Sequence, residues 1–183
     1  MKYEFEEVER IIIKNAFDLK RYLKTLDKTF DDNYKKNFNA YYGVRRNEKW
    51  RNAYYDFFEK NKNNENITFE EIIEYLCDNT EEKNVEPSFS SKMLATINPN
   101  KPIWDKYVLK HLKIRVKEKD KDKKIEEAIN IYKKIEEKYK EYLEDNNIKE
   151  TINRIKKILN DERISDIKIL DYIIWITEKE ENK

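Results

Sequence analysis

Apolar residues recur along this chain at the three- and four-residue spacings of an α-helix. The clearest row has 3,4,3,4,3 spacing and comprises Ile125, Ala128, Tyr132, Ile135, Tyr139 and Tyr142. The next row has 4,3,4 spacing and comprises Ile148, Ile152, Ile155 and Leu159. Because the predicted loop between the two helices, residues 145–147, is short, we predict an antiparallel helical hairpin. A dimerising coiled coil is the alternative, and the short length of the seam favours packing within the chain.

The first sixty residues predict two or three further helices. One apolar face comprises Tyr22, Leu23, Leu26 and Phe30, and another comprises Trp50, Tyr54, Phe57 and Phe58. Between these faces, residues 38–44 predict a turn packed by its own aromatic side chains.

The central and last helices have recognisable ends. Thr68 and Glu71 predict a capping box, Asn98-Pro99 ends a short helix that begins at Phe89, and a helix over residues 105–114 follows. Ser165 predicts the N-cap of a last helix that is apolar on most of its circumference.

Together these patterns predict an all-α fold of about eight helices in a single globular domain over residues 1–183. We divide it into N-terminal aromatic-rich helices (1–62), central helices (68–114) and C-terminal helices with the hairpin (122–179). Charged residues make up 42% of the chain, but the aromatic fraction of 13% argues against disorder, because disordered chains are poor in aromatic residues.

The composition excludes several kinds of site. Gly43 is the only glycine, so the chain cannot build a P-loop, a dinucleotide-binding fingerprint or a nucleophile elbow. A zinc site needs about four ligands, and Cys77 and His111 are the only cysteine and histidine. Acids are so frequent that they give no specific signal for Mg²⁺. We therefore expect no metal and no cofactor.

The charge is nearly balanced overall and uneven locally. The net charge is +1, yet residues 65–86 carry eight acids against one lysine, and residues 105–124 carry nine basic residues against four acids. A uniformly basic nucleic-acid-binding protein is therefore excluded, whereas a basic patch on a neutral body is not. The acidic N-terminus, the single cysteine and the lack of a long apolar run predict a cytoplasmic protein with no membrane partner.

The segment from Pro87 to Leu112 differs from its surroundings. It contains all three prolines of the chain, small polar residues and a lone lysine near the start of an apolar helix. It resembles the middle of the helix-hairpin-helix DNA glycosylase superfamily, in which a Lys at the start of one helix precedes a Pro-containing loop, and an Asp opens the next helix with an apolar residue three positions after it. Lys92, Pro102, Asp105 and Val108 match that pattern.

The resemblance implies that Lys92 is a nucleophile that forms a Schiff base and that Asp105 assists it. Where the superfamily has hairpin glycines, this chain has Ser88-Phe89-Ser90-Ser91, so Ser88, Ser90 and Ser91 are the candidate phosphate-binding residues. Lys92 and Asp105 also lie about one helical turn closer in sequence than in the superfamily. The structural alternative is that Asp105 only caps a helix and that Lys92 faces solvent.

A second basic cluster surrounds Trp50. Arg45, Arg46 and Arg51 are interleaved with aromatic residues, as in surfaces that hold phosphates while rings stack on bases. The alternative is a helix with a charged outer face and an aromatic inner face.

We therefore predict a DNA-binding protein with a glycosylase-like fold, acting on damaged or flipped bases through Lys92 and Asp105. The alternative is a non-catalytic helical protein that binds nucleic acid or a protein partner, as an adaptor of phage or host-defence origin. The sequence leaves the oligomeric state open.

Overall fold

The computed structural model describes Arg10 and residues 21–80 and 83–180, and every regular element in these ranges is a helix. The bounded helices are α1 (Asp32–Tyr42), α2 (Glu48–Asn61), α3 (Phe69–Asn79), α4 (Pro87–Ile97), α5 (Lys106–His111), α6 (Lys121–Glu144), α7 (Asn146–Leu159) and α8 (Asp166–Glu180). The prediction of an all-α protein is confirmed.

Side-chain caps fix most helix starts. Thr68 accepts a hydrogen bond from Glu71 N, and the Glu71 carboxylate accepts one from Thr68 N, which is the predicted capping box. Ser165 Oγ accepts a 3.1 Å hydrogen bond from Lys168 N and thereby caps α8 as expected. Asp105 caps α5 in the same way. These contacts satisfy backbone N–H groups that the first helical turn leaves free.

The predicted secondary structure is wrong between Tyr22 and Tyr42. The helical residues 21–23 lead into a turn, and Phe30 lies in a loop with a φ of 60°, so no helical face joins Tyr22 to Phe30. Residues 38–42 of the segment that we expected to be a turn form the last part of helix α1, and Gly43 follows as its C-cap in the left-handed conformation with a φ of 67°. The expected helices before residue 21 lie outside the described residues, Arg10 excepted.

The C-terminal hairpin is confirmed, with Asp145 as the single residue between α6 and α7. The seam of α6 is buried at Ala128, Ile131, Tyr132, Ile135 and Tyr139. These side chains belong to one cluster of buried residues that extends from Tyr22 to Ile176. The seam therefore packs within the chain, which confirms our preference over a dimerising coiled coil.

Helix α8 lies at the centre of the C-terminal half. It packs against α5, α6 and α7, while α3 packs against α2, α4 and α6. Ile169, Leu170, Ile173, Ile174 and Ile176 are nearly or completely buried, as the apolar pattern predicted. Two charged residues of the same helix, Lys168 and Asp171, are buried with them.

Candidate functional site

A cavity of about 380 Å³ opens between α1, α4, α5 and α8. The residues that line it come from distant parts of the chain. They are Arg21, Ala40, Tyr41, Tyr42, Gly43, Lys92, Ile103, Asp105, Val108, Lys168, Asp171, Tyr172, Trp175 and Lys179. Its volume lies within the range of about 300–1,000 Å³ that is usual for small-molecule sites. Both predicted catalytic residues, Lys92 and Asp105, line this cavity.

Lys92 lies on α4 and is half-buried. Its Nζ donates a 3.1 Å hydrogen bond to the carbonyl of Tyr42 and lies 5.2 Å from the centre of the Phe89 ring. Burial lowers the pKa of the Lys92 amine below its ordinary value, and the Asp105 carboxylate opposes that shift. The alternative that Lys92 faces solvent is therefore wrong.

Asp105 is the N-cap of α5 and accepts a 2.9 Å hydrogen bond from Tyr107 N through Oδ1. The capping role that we expected is confirmed. The carboxylate nevertheless lines the cavity and acts electrostatically on Lys92. One carboxylate can fill both roles because the cap uses only one of its oxygens.

The cavity also contains a pair of charged residues that the sequence reasoning missed. Lys168 and Asp171 lie one turn apart on α8, and their exposed fractions are 6% and 5%. The signal was present in the sequence, since charged residues in the middle of an otherwise apolar helix are rarely buried without a specific reason. We refer to Lys168 and Asp171 as the α8 pair.

Lys168 Nζ is surrounded by tyrosine rings. It lies 4.6 Å from the ring centre of Tyr22, 5.5 Å from that of Tyr41 and 5.6 Å from that of Tyr42. Ring faces attract an ammonium group and partly replace its lost hydration. Burial lowers the pKa of Lys168 to about 8, and the Asp171 carboxylate opposes this change.

Asp171 is held from one side only. Its Oδ1 accepts a 2.7 Å hydrogen bond from Tyr139 and a 3.2 Å hydrogen bond from Ile103 N. Its Oδ2 is buried and has no hydrogen-bond partner among the described residues. Burial raises the pKa of Asp171 to about 6, against the opposing charge of Lys168.

The candidate phosphate-binding serines are divided between the interior and the surface. Ser90 and Ser91 have no exposed area, and Ser90 donates to Glu86 O while Ser91 donates to Ser88 O. Ser91 Oγ also accepts a 2.8 Å hydrogen bond from Trp104 N, which ties α4 to the start of α5. Ser90 and Ser91 therefore stabilise the interior, and only the partly exposed Ser88 can contact a ligand.

The basic cluster at the start of α2, with Arg45 and Arg46 in the preceding loop, lies outside the cavity lining. Arg45 is exposed and Arg51 is half-buried. Arg46 forms a 2.5 Å ion pair with Glu86 and lies over the rings of Trp50 and Phe89. Arg46 therefore joins the loop before α2 to the N-cap of α4, and Arg45 and Arg51 are the members of the cluster that remain available to a phosphate.

Two other side chains of the central segment serve the fold. Trp104 is buried in the core, where its ring lies parallel to that of Phe69. His111 Nδ1 lies 3.0 Å from Glu178 Oε1 at the end of α8. Neither side chain lines the cavity.

Residues 21–80 and 83–180 contain no group of three or more His, Cys, Asp and Glu side chains placed to hold a metal ion. Within the same ranges, no helix has the length and hydropathy needed to cross a bilayer.

No family model, no curated protein and no solved structure matches this chain. The residues that line the cavity, and their chemistry, therefore carry the functional conclusion.

Proposed function

We propose that the cavity receives a nucleotide flipped out of DNA and that Lys92 and Asp105 act on it as the nucleophile and carboxylate of a glycosylase and lyase. The observation that carries this proposal is the presence of both residues in one cavity, although they belong to different helices. Arg21 and Lys179 line the same cavity and are partly exposed, so they can hold the flanking phosphates.

The environment of Lys92 suits a nucleophilic amine. Only a neutral amine attacks carbon, and burial shifts its titration in that direction. The hydrogen bond from Nζ to Tyr42 O does not block the reaction, because a neutral amine can donate it and still have its lone pair free. The backbone carbonyl of Tyr42 thereby orients the Lys92 amine.

The proposed reaction balances within the site. Lys92 and Asp105 form no ion pair with each other, so the Lys92 ammonium gives one proton to Asp105 through a water molecule. The neutral Nζ then attacks C1′ of the deoxyribose. The bond from C1′ to the base breaks, its electron pair leaves with the base, and the base takes up the proton from Asp105. The attached Nζ then transfers a proton to O4′ as the sugar ring opens, which leaves a protonated imine between Lys92 and C1′.

Asp105 has a second task in this reaction. Positive charge develops on the sugar as the base leaves, and the Asp105 carboxylate that forms as its proton passes to the base stabilises this charge in a site that is partly shielded from water. Because the N-cap hydrogen bond holds Asp105, the carboxylate does not need to reorganise as the charge forms.

Trapping with borohydride tests the proposal. The protein is incubated with a duplex that contains an abasic site and with duplexes that contain single oxidised, deaminated or alkylated bases, and borohydride then reduces any imine to a stable adduct. We expect wild type to give an adduct and Lys92→Gln to give none. Asp105→Asn is expected to slow its formation by about 10²–10⁴-fold.

Lys106→Gln is the matched control, because Lys106 is exposed and lies next to Asp105. Abasic sites react slowly with any accessible amine, so an adduct that depends equally on Lys92 and Lys106 is not enzymatic. No adduct above that background, together with no base release from any duplex, would contradict the proposal.

A non-catalytic DNA-binding protein is the second candidate. The hydrogen bond of Lys92 to Tyr42 O and its contacts with two rings also suit a permanently charged, structural lysine. In that case DNA affinity falls with salt, no adduct forms, and Lys92→Gln binds DNA about as well as wild type.

A further inference from the structure

The α8 pair is buried and has hydrogen-bonding capacity that the described residues do not use. Asp171 Oδ2 has no partner among them, and Lys168 Nζ makes no hydrogen bond or ion pair with any of them. Both residues line the cavity and are among its most buried members. A buried acceptor without a partner costs about 1–3 kcal/mol, so such atoms in a native site are satisfied by water or by a ligand.

A purely structural role does not account for this arrangement. Residues three apart on a helix are neighbours, so Lys168 and Asp171 could pair directly. Instead, the tyrosine rings hold the Lys168 ammonium, and Tyr139 and Ile103 hold Asp171 by its other oxygen. The donor and the acceptor are thus fixed separately, and both residues line the cavity while Asp171 Oδ2 has no hydrogen-bond partner among the described residues.

The charges of the cavity favour a neutral ligand with both a donor and an acceptor. An anion would meet the carboxylates of Asp105 and Asp171, and a cation would meet the ammonium groups of Lys92 and Lys168. A neutral group that donates to Asp171 and accepts from Lys168 satisfies both members of the α8 pair. Charged partners make such hydrogen bonds stronger than neutral ones.

The walls of the cavity favour a flat ligand. Tyr41 and Tyr42 of α1 and Tyr172 and Trp175 of α8 line it, and the rings of Tyr172 and Trp175 lie within 19° of parallel. Aromatic side chains of this kind stack on planar heterocycles. The volume of about 380 Å³ is sufficient for one small heterocycle.

We infer that the α8 pair recognises the lactam edge of a nucleobase, with Asp171 Oδ2 accepting from the ring N–H and Lys168 Nζ donating to the adjacent carbonyl oxygen. A lactam N–H is more acidic than an exocyclic amine and is therefore the better donor to a carboxylate. The ligand class is oxo-purines and oxo-pyrimidines. This assignment rests on the proposed function, since it names the base that the same cavity would accept.

The test uses free heterocycles, so it needs neither DNA nor chemistry at Lys92. Hypoxanthine carries the lactam edge, 1-methylhypoxanthine lacks its N–H donor, and purine has neither the donor nor the carbonyl. We expect isothermal titration at pH 7 to give hypoxanthine an affinity at least about tenfold higher than the other two, because each of them forfeits a hydrogen bond to a charged group.

Two variants test whether the α8 pair is the part of the cavity that recognises the heterocycle. Lys168→Met is expected to weaken hypoxanthine binding by about 10- to 100-fold. Asp171→Asn keeps an oxygen for Tyr139 and Ile103 and places an NH₂ donor where Oδ2 was. This variant should therefore lose affinity for hypoxanthine and gain affinity for purine, whose N1 is an acceptor. A merely structural aspartate would not reverse the preference in this way.

Lys140→Met is the matched control, because Lys140 is exposed on α6 and should leave every affinity unchanged. Thermal melts of all variants show that they are folded. Equal affinities for the three heterocycles, no binding of any of them by folded wild type, or unchanged preferences in Asp171→Asn would overturn the inference.

The binding and trapping experiments distinguish a failure of the α8-pair inference from a failure of the proposed function. Lactam binding by wild type without a borohydride adduct on any duplex supports recognition by the α8 pair and removes the catalytic role of Lys92. An adduct that depends on Lys92, with hypoxanthine affinity unaffected by Asp171→Asn and Lys168→Met, supports the chemistry and removes the assignment of the α8 pair.

Discussion

Tyr139 of α6 donates a 2.7 Å hydrogen bond to Oδ1 of Asp171 on α8, and this contact fixes the orientation of the buried carboxylate. Ile103 N donates to the same oxygen. One oxygen of Asp171 therefore accepts both hydrogen bonds from the interior, while the other has no partner among the described residues. The packing of α6 against α8 is in this way coupled to the geometry of the candidate site.

Replacement of Tyr139 by Phe measures the strength of this contact. The variant should lower the free energy of unfolding at pH 7 by about 1.5–3 kcal/mol, because the lost bond goes to a charged acceptor. Tyr132→Phe is the control, since Tyr132 donates a 2.8 Å bond to a neutral acceptor, Pro102 O, and should cost only about 0.5–1.5 kcal/mol. Urea denaturation gives both values, and a smaller loss for Tyr139→Phe than for Tyr132→Phe would count against the anchoring role.

Burial of Asp171 makes stability depend on pH in an identifiable way. Its pKa is about 6 in the folded protein, whereas the ordinary pKa of an aspartate is 3.8, so between these limits the folded state binds more protons than the unfolded state. The contribution of Asp171 to stability is therefore fully present below pH 3.8 and is lost as the pH rises through 6. Relative to Asp171→Asn, wild type should lose up to about 3 kcal/mol of unfolding free energy over this window.

Urea denaturation of wild type and Asp171→Asn at several pH values between 4 and 7 tests this expectation. The difference between the two proteins isolates Asp171, because the other carboxylates titrate in both. Parallel curves across the window would show that the pKa of Asp171 is not raised in the folded protein.

Two substitutions of Asp105 should separate its capping role from its chemical role. Asp105→Ala loses the hydrogen bond from Tyr107 N and should lower the unfolding free energy by about 1 kcal/mol, whereas Asp105→Asn keeps the cap and should change it by less than about 0.5 kcal/mol. Asp120→Ala, at the N-cap of α6, provides the reference loss for a cap remote from the cavity. If Asp105→Asn is as stable and as active in the trapping assay as wild type, Asp105 is a cap alone.

The salt dependence of DNA binding should locate the interface. If the rim of the cavity contacts phosphates, Arg21→Gln and Lys179→Gln should each reduce the slope of log K against log salt by about one. Lys140→Gln, on the exposed face of α6, should leave the slope unchanged. Fluorescence anisotropy with a labelled duplex measures the slopes, and an effect of Arg45→Gln and Arg51→Gln alone would move the interface to α2.

Local signals in the sequence predicted much of the secondary structure. The capping box of Thr68 and Glu71, the N-cap at Ser165 and the seam of α6 depend on residues within a few turns of one another, and all are present. The error at Tyr22 to Phe30 has a physical reason as well. Apolar spacing cannot distinguish a continuous helix from a loop whose aromatic side chains reach the same core, and Phe30 is buried from a left-handed backbone.

The serine prediction failed in part because burial depends on the whole fold. Ser90 and Ser91 read as exposed donors near a helix start, whereas the helix begins earlier, at Pro87, and its serine face lies against the interior. Small hydroxyl residues fit such a face when the backbone one turn back accepts their hydrogen bonds, as Glu86 O and Ser88 O do here.

The sequence by itself determined that the chain is helical, where several helices begin, and which two residues, Lys92 and Asp105, deserved a functional test. Only the tertiary structure decided that these residues share a cavity and that Lys168 and Asp171 lie inside it. The physical reason is the separation in sequence over which each effect acts. Helix periodicity and capping are set by neighbours in the chain, whereas the solvation of a charge is set by every element packed around it, and for the α8 pair those elements are distant in sequence.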